Sequence, residues 1–160
     1  MTIVVTNMEF NIRKMSEKDI DAVKYIEDKS FMNPWSYRSF RLEIEDDSYS
    51  VYLSAVNDEK VIGYGGGWII IDELHITNLA VAEEFRRQGV GEKIINELEK
   101  TGLNRGIYRA TLEVRKSNIA AIKLYKKLGY VQKGVRENYY QSDNEDALIM
   151  CKYFKKAGDC

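Results

Sequence analysis

The chain has 160 residues, with 24 lysines and arginines against 25 aspartates and glutamates, and a formal net charge of -1. This length predicts one domain, residues 1–160, large enough to bury a hydrophobic core. The balanced charge gives no basic surplus for nucleic acid, and no apolar run reaches the roughly 18 residues that cross a bilayer. No signal-peptide pattern opens the chain, and Cys151 and Cys160 have neither CxxC nor zinc-site spacing. We therefore expect a reduced, cytoplasmic protein that binds neither membrane nor nucleic acid directly.

A strand and a helix are predicted at the start of the chain. The stretch "NIRKM" is typical of a short first strand. Ser16, followed three residues later by Asp19, forms a variant of the capping box that begins a helix. The apolar residues Ile20, Val23 and Ile26 lie on one face of that helix.

A second helix and a hairpin follow. The stretch "NPWSYRSFRLEIEDD" predicts a turn and a helix with Ser36 as its N-cap. Its acidic end, residues 43–47, is expected in solvent or against a basic substrate tail. "SVYLSAV" and "VIGYGGGWIII", joined by "NDEK", predict the two strands of a hairpin. Gly65–Gly67 interrupt the second strand, which indicates either a bulge or the close approach of a ligand.

A glycine-containing loop joins the next strand, "LHITNLAV", to an amphipathic helix, "EKIINELEKTG". In this loop, Arg86 and Arg87 precede Gly89 and Gly91. The N–H groups of a helix's first turn lack internal partners and favour an anion. The spacing is neither that of a Walker loop nor that of the dinucleotide fingerprint, whose third glycine position is Ile94 here. Phosphate binding and a plain turn both remain open on this pattern alone.

The second half of the chain continues the alternation of strands and helices. "YRATLEV" predicts a strand, and "NIAAIKLYKKLG" predicts a helix that ends at Gly129. Two more strands, "YVQKGVRENYY" and "DALIMCKYF", complete the pattern. The order predicts an α/β fold with a mixed sheet, in which hairpins at both ends flank βαβ units.

Several of these stretches together resemble the GNAT N-acetyltransferases, and more narrowly the RimI type. The stretches are "LHITNLAVAEEFRRQGVGEKIINELE", "LEVRKSNIAAIKLYKKLGY", "NYY…EDALIM" and "NPWS…F", and the resemblance spans about residues 10–154. It implies a mostly antiparallel sheet of about six or seven strands, about four helices and a splay between two central strands. It also implies acetyl-CoA as cosubstrate, no metal, and a monomer or weak dimer that acetylates the N-terminal alanine of a small-subunit ribosomal protein.

The resemblance also implies which residues hold acetyl-CoA. Backbone N–H groups at the splay would bind the acetyl carbonyl and the pantetheine, and such donors are usually the largest electrostatic contribution to acyl transfer. Asn118 can also cap its own helix. The implied residues are Leu79, Ala80, Val81, Arg86, Arg87, Gln88, Gly89, Val90, Gly91, Glu92 and Asn118.

Glu113 and Tyr125 are the candidate base and acid. Glu113, near the C-terminal end of a strand, can take a proton from an amine directly or through a water. The alternative is an ion pair with Arg115 or a nearby lysine. A phenol, with a pKa of about 10, can protonate a departing thiolate, although Tyr125 shares its helix face with Ile122 and can equally be a core residue. The matching residues are base and acid in the resembled family.

The resemblance places the peptide substrate against Trp35, Arg136, Tyr139 and Tyr140, with rim packing as the alternative for the two tyrosines. Two other functions stay open. One is acetylation of a small amine or a lysine side chain. The other is a non-catalytic acyl-CoA-binding module, which would not require Glu113 and Tyr125.

Two further residues are interpreted as structural. His75 is the only histidine, and no motif supplies the nucleophile that a catalytic triad would need. Cys151 lies in "LIMCKYF", which is typical of a buried strand, so we do not expect covalent catalysis.

Overall fold

One seven-stranded sheet organises the computed structural model, which describes residues 8–155. The strands are β1 (Asn11–Lys14), β2 (Ser50–Asn57), β3 (Lys60–Ile70), β4 (Glu73–Val81), β5 (Arg109–Arg115), β6 (Val131–Tyr140) and β7 (Glu145–Tyr153). The helices of this part of the chain are α1 (Ile20–Ser30), α2 (Tyr37–Glu45), α3 (Val90–Asn104) and α4 (Ile119–Lys127). Short 3₁₀ turns occupy Glu17–Asp19 and Glu83–Phe85. Cys160 lies outside the described residues.

The strand order is β1-β2-β3-β4-β5-β7-β6. Only β4 and β5 are parallel neighbours, and every other adjacent pair is antiparallel. The predicted mixed, mostly antiparallel α/β sheet is therefore confirmed. The β4–α3–β5 crossover joins neighbouring strands as expected, but the crossover through α4 does not, because β7 lies between β5 and β6.

The predicted helix starts are confirmed by their hydrogen bonds. The Ser16 N–H donates to Asp19 Oδ2 at 2.9 Å, so the capping box forms, although a 3₁₀ turn precedes α1. Ser36 Oγ accepts from the Ser39 N–H at 3.1 Å at the start of α2. Asn118 Oδ1 accepts from Ala121 N–H at 3.2 Å at the start of α4. These bonds satisfy N–H groups that a helix leaves without partners.

Two apolar clusters cover the opposite faces of the sheet. Burial of each large aliphatic side chain in such a cluster stabilises the fold by about 1.5–3 kcal/mol. The larger cluster lies under α3 and α4 and includes Ile94, Ile95, Leu98, Leu112 and Met150. The smaller cluster lies under α1 and α2 and includes Ile20, Val23, Phe40 and Tyr64.

A bulge in the β3–β4 pair changes which residues face each layer. Gly67 pairs with Ile76 and Gly66 pairs with Asn78, so Thr77 is the extra residue. One inserted residue reverses the alternation of side chains. Leu74 and Ile76 accordingly pack in the larger cluster, whereas Ala80 packs in the smaller one.

The three glycines of β3 make room for protein atoms. A Cβ at Gly65 would meet Ile94, one at Gly66 would meet the Tyr52 ring, and one at Gly67 would meet the backbone carbonyl of His75. Of the two interpretations, the bulge with close packing is therefore the one that the structure bears out.

The predicted splay opens between β4 and β5. Their pairing runs from Glu73 opposite Arg109 to Ile76 opposite Leu112. Beyond this point β4 continues to Val81 and β5 to Arg115 without pairing to each other, while β5 remains paired with β7. The backbone groups of β4 that face β5 are thus left without a neighbouring strand.

Candidate active site

A cleft of about 710 Å³ follows the unpaired half of β4 to the glycine loop and the start of α3, with α4 as its other wall. Ten of the eleven residues predicted to hold the cofactor line it: Leu79, Ala80, Val81, Arg86, Arg87, Gly89, Val90, Gly91, Glu92 and Asn118. Gln88 is not among the lining residues, and its side-chain amide instead donates to the Glu84 carbonyl at 3.4 Å.

The cleft has further walls that the sequence patterns did not reveal. They are Ser30, Phe31, Phe85, Ala120, Ala121, Leu124 and Lys127. Ser30 and Phe31 come from the end of α1, far from the glycine loop in sequence. Apolar helix positions such as Leu124 look like ordinary core residues, so no local signal distinguishes them.

The glycine loop presents the N-terminus of α3 to this cleft. Gly89 is the residue before the helix and has φ +81°, a left-handed conformation that a residue with a Cβ rarely adopts. A Cβ at Gly89 would meet no atom within 4 Å. The Arg86 side chain is held at the end of β4, because its Nε donates to the Val81 carbonyl at 2.9 Å. The open N–H groups of a 15-residue helix therefore face the cleft, an arrangement that suits a phosphate.

Glu113 lies on β5 just beyond the end of the β4–β5 pairing, and its side chain is only 10% exposed. Its Oε2 accepts a hydrogen bond from His75 Nε2 at 2.6 Å, and its Oε1 lies 3.5 Å from an Arg136 guanidinium nitrogen. The hydrogen bond from His75 lowers the pKa of Glu113 and outweighs burial, which acts in the opposite direction. The carboxylate is therefore ionised near neutral pH.

The alternative partner proposed for Glu113 is engaged elsewhere. The Arg115 guanidinium lies 2.8 Å from Asp143 and 3.2 Å from Glu145, both in or next to the β6–β7 turn. The same guanidinium stacks on the Tyr140 ring at 4.0 Å from its centroid. Arg115 therefore fixes the turn and Tyr140, and leaves Glu113 to His75 and Arg136.

Three of the predicted substrate residues lie together beside Glu113. The Arg136 guanidinium is 5.7 Å from the centroid of the Tyr139 ring. Tyr139 meets Tyr140 edge to face with centroids 5.1 Å apart, and Tyr139 is 44% exposed. Burial raises the pKa of Tyr140 to about 12, so both tyrosines offer neutral, rigid walls at the mouth of the site.

Trp35, the fourth predicted substrate residue, packs against the smaller apolar cluster. Its ring packs against Phe40 and Tyr52, with centroids 5.5 and 6.0 Å away. In the same α1–α2 segment, Asn33 Nδ2 donates to Ser142 Oγ at 2.9 Å. This hydrogen bond links the α1–α2 segment to the β6–β7 turn.

Tyr125 lies on α4, with 6% of its surface exposed. Its ring contacts Tyr130 edge to face with centroids 5.7 Å apart. Burial raises the pKa of Tyr125, so the phenol keeps its proton throughout the neutral range. Tyr125 is a residue of the larger apolar cluster, and its neighbours Ala121 and Leu124, rather than Tyr125 itself, line the cleft. Its role as the acid stays a prediction.

His75 is the residue whose importance the sequence concealed. It lies on β4 as predicted, and its ring also meets Trp68 edge to face at 5.9 Å. Its partner is 38 residues away on the neighbouring strand, which no motif encodes. Cys151 is buried on β7, as predicted, with its thiol 3.5 Å from Thr111 Oγ1. Glu43, expected in solvent, instead accepts from Trp68 Nε1 at 3.2 Å.

Residues 8–155 hold neither a cluster of metal ligands nor a membrane-spanning helix. In that part of the chain, no three or more His, Cys, Asp or Glu side chains are grouped to hold a metal ion. Every helix in the same span is too short or too polar to cross a membrane.

A splayed sheet, an open helix start facing a cleft and a nearly buried carboxylate at the splay are the features that an acyltransferase needs. The family model described as the Acetyltransferase (GNAT) family matches residues 20–130. The chain belongs to this family. It is an N-acetyltransferase, and its acetyl donor is acetyl-CoA.

Particular relatives narrow the comparison. A Bacillus subtilis (strain 168) protein, named provisionally as a ribosomal protein bS18-alanine N-acetyltransferase, is 42% identical over 87% of this chain and 92% of its own length. The Escherichia coli (strain K12) protein with that name is 35% identical over 87% of this chain and 94% of its own. The crystal structure of the Escherichia coli ribosomal-protein-S18-alanine N-acetyltransferase superposes with a TM-score of 0.84 and 31% identity, covering 94% of this chain and 97% of that one.

Proposed function

We propose that the chain acetylates the N-terminal amine of a protein, and that this amine belongs to the N-terminal alanine of a small-subunit ribosomal protein. The observation that carries the proposal is the Glu113 carboxylate, nearly buried, held by His75 and Arg136 where β4 and β5 part. The Bacillus subtilis and Escherichia coli relatives, 42% and 35% identical, are both named for alanine of ribosomal protein bS18. The cytoplasmic location and the monomeric or weakly dimeric state expected from the sequence remain predictions.

The cleft fits a CoA ester in its shape and in its donors. Acetyl-CoA supplies the acetyl group as a thioester. The open first turn of α3, with Gly89, Gly91 and Arg86 around it, would hold the pyrophosphate. The unpaired backbone of Leu79–Val81 would bind the pantetheine amides and the acetyl carbonyl. Among these positions, Gly91 also serves packing, since a Cβ there would lie 3.3 Å from Leu124.

Proton movements are assigned to Glu113 and Tyr125. Glu113 accepts the proton that the acceptor amine loses, directly or through a water, while His75 holds the carboxylate in place. Tyr125, protonated and buried on α4 next to the lining residue Leu124, would donate a proton to the departing thiolate. A silent acyl-CoA-binding module would require neither group, so their placement supports a catalyst.

The lowered pKa of Glu113 favours an α-amine over a lysine side chain. A carboxylate with a depressed pKa is a weak base, so it acts best on an amine that is already partly neutral. An α-amine has a pKa of about 7.7–8.0 and lysine about 10.4. The difference of more than two units corresponds to about 3 kcal/mol at neutral pH.

The entrance favours a peptide with a small first residue. Tyr139 and Tyr140 wall one side of the entrance, and the α1–α2 segment closes the other through the Asn33–Ser142 hydrogen bond. A large first side chain would have to displace these contacts. A small amine such as spermidine would leave most of the walls without contact, which makes the small-amine function the weaker candidate.

A comparison of kcat/KM for two peptides tests this proposal. The first begins with alanine and a free amine. The second has the same sequence, a blocked N-terminus and one internal lysine. We expect the first to be acetylated far faster, with the acetyl group located on the α-amine by mass spectrometry. Faster acetylation of the lysine peptide, or of spermidine, would reject the proposed function.

A further inference from the structure

Two buried polar atoms next to the splay have no hydrogen-bond partner. Ser30 Oγ, at the end of α1, and Asn78 Oδ1, on β4, are both buried without a partner in the part of the chain described, residues 8–155. Asn78 is 5% exposed. A buried polar group without a partner costs roughly 1–3 kcal/mol, so such atoms call for an explanation. Ser30 lines the cofactor cleft, and Asn78 immediately precedes the lining segment Leu79–Val81.

Glu27 fixes the direction in which Asn78 presents its oxygen. The buried Glu27 carboxylate accepts from Asn78 Nδ2 at 3.2 Å, from the Trp35 N–H at 3.3 Å, and from the Tyr64 hydroxyl. If the amide of Asn78 were turned over, its oxygen would face the carboxylate, which accepts only. The chemistry therefore holds Asn78 Nδ2 on Glu27 and directs Oδ1 away from it.

The two atoms lie on the same side of the molecule. Glu27 and Ser30 are three residues apart on α1 and so share a helix face. Asn78 hydrogen-bonds to Glu27 on that face. The bulge at Thr77 is what turns Asn78 towards α1, since it reverses the alternation of β4 at this point. Ser30 and Asn78 thus both lie on the side of β4 that α1 covers, and Ser30 reaches the cleft there.

We propose that Ser30 and Asn78 form a polar subsite for an N–H donor at the inner end of the cleft. Asn78 Oδ1 can only accept a hydrogen bond, whereas Ser30 Oγ can accept or donate. Two donors can reach such a place in this reaction: the acceptor's α-amine and an amide of the pantetheine. This inference rests on the proposed function, because both donors belong to its substrates.

The test compares Ser30→Ala and Asn78→Ala with a matched control, Tyr64→Phe. Tyr64→Phe and Asn78→Ala each remove one donor to Glu27, so Tyr64→Phe controls for the loss of such a donor and should leave kcat/KM and the Kd for CoA unchanged. Only Asn78→Ala also removes the unpartnered oxygen. Ser30→Ala removes an atom that has no protein partner, so its Tm should stay unchanged or rise.

Three quantities are measured for each variant: kcat and KM for the alanine peptide, and the Kd for CoA by calorimetric titration. If the donor is the α-amine, kcat/KM should fall about tenfold in Ser30→Ala and Asn78→Ala, the factor that a hydrogen bond of 1.4 kcal/mol corresponds to, with the Kd for CoA unchanged. If the donor is a pantetheine amide, the Kd for CoA should rise by about the same factor.

Wild-type values for all three quantities in Ser30→Ala would overturn the subsite, even if Asn78→Ala did not fold. That result would leave the proposed function intact, since the wild-type enzyme would still acetylate the peptide. A wild-type enzyme that does not acetylate the peptide would instead reject the proposed function. The CoA titration of Ser30→Ala would then still decide the pantetheine contact.

Discussion

His75 Nε2 and Glu113 Oε2 lie 2.6 Å apart, although they are not register partners in the sheet. His75 pairs with Thr111 across the parallel β4–β5 ladder, so its side chain reaches diagonally towards the next outward-facing residue of β5. The hydrogen bond crosses between the strands just where their backbone pairing ends. It therefore both fixes the carboxylate and spans the opening of the splay.

Glu113→Gln should lower kcat on the order of 10²-fold or more, the usual contribution of a general base. The amide keeps the size of the side chain but cannot accept a proton from the amine. The Kd for acetyl-CoA should stay near the wild-type value, because Glu113 is not among the residues that line the cleft. Wild-type turnover in this variant, under conditions where chemistry limits the rate, would remove Glu113 from the mechanism.

His75→Leu should lower kcat about tenfold, because a hydrogen bond to a charged group contributes roughly 1.5–3 kcal/mol and part of it is recovered by water. His75→Gln can still donate to the carboxylate and should recover most of the loss. Rescue by glutamine distinguishes a positioning role from simple packing, since packing against Trp68 would favour leucine. Equal activity of the two variants would contradict the positioning role.

The pH profile of kcat/KM should report the acceptor amine rather than Glu113. The hydrogen bond from His75 lowers the pKa of Glu113 below its ordinary value of 4.5, so the carboxylate stays ionised from about pH 5 upwards. The rate should therefore rise with pH through about 7.7–8.0, the pKa of an α-amine. The measurement is a set of initial rates in steps of half a pH unit, and a rate profile that is flat above pH 6 would contradict this account.

The depressed pKa of Glu113 also affects stability. Ionised Glu113 stabilises the fold above its unfolded pKa, and this contribution is lost as pH falls through the folded pKa.

Tyr125→Phe should lower kcat by about 10²-fold, because the leaving thiolate then lacks its proton donor. Tyr130→Phe is the matched control: its ring contacts that of Tyr125, and its own hydroxyl interacts with Glu99 rather than with the cleft. Loss of the Tyr130 hydroxyl should leave kcat unchanged. Steady-state rates of thiol release, measured for both variants, decide whether Tyr125 acts as the proton donor. If the two variants behaved alike, Tyr125 would be a core residue only.

Gly89→Val should weaken CoA binding by more than tenfold, because a branched side chain would stand at the helix N-terminus where we propose that the phosphate is held. Gly106→Val is the matched control, since Gly106 has φ +89° against +81° for Gly89 and a Cβ there also meets no atom within 4 Å. Both variants should lose similar stability through backbone strain. Calorimetric titration with CoA should show the loss of affinity only in Gly89→Val. Unchanged CoA affinity in a folded Gly89→Val variant would contradict phosphate binding by the loop.

Much of the secondary structure and the glycine loop could be predicted from the sequence, because local physical chemistry determines them. Ser36 and Asn118 mark helix starts because their side chains accept from N–H groups three residues on, and at the first helix the Asp19 side chain accepts from the Ser16 N–H. The apolar periodicity of α3 and the alternation of the strands follow from the geometry of the elements themselves. The glycine loop is also local, since the helix start and the groups predicted to bind phosphate belong to one short segment. The family, the sheet type and most of the cofactor cleft were therefore predictable.

Only the tertiary structure decided the relations between distant segments. The insertion of β7 between β5 and β6 depends on strand pairing, which the order of elements along the chain does not specify. The bulge at Thr77 changes the faces of β4 by a single residue, and nothing in the local pattern "HITNLAV" distinguishes it. The His75–Glu113 hydrogen bond and the placement of Ser30 beside the splay are consequences of that geometry. Such contacts form because the packed sheet brings together side chains that the sequence keeps tens of residues apart.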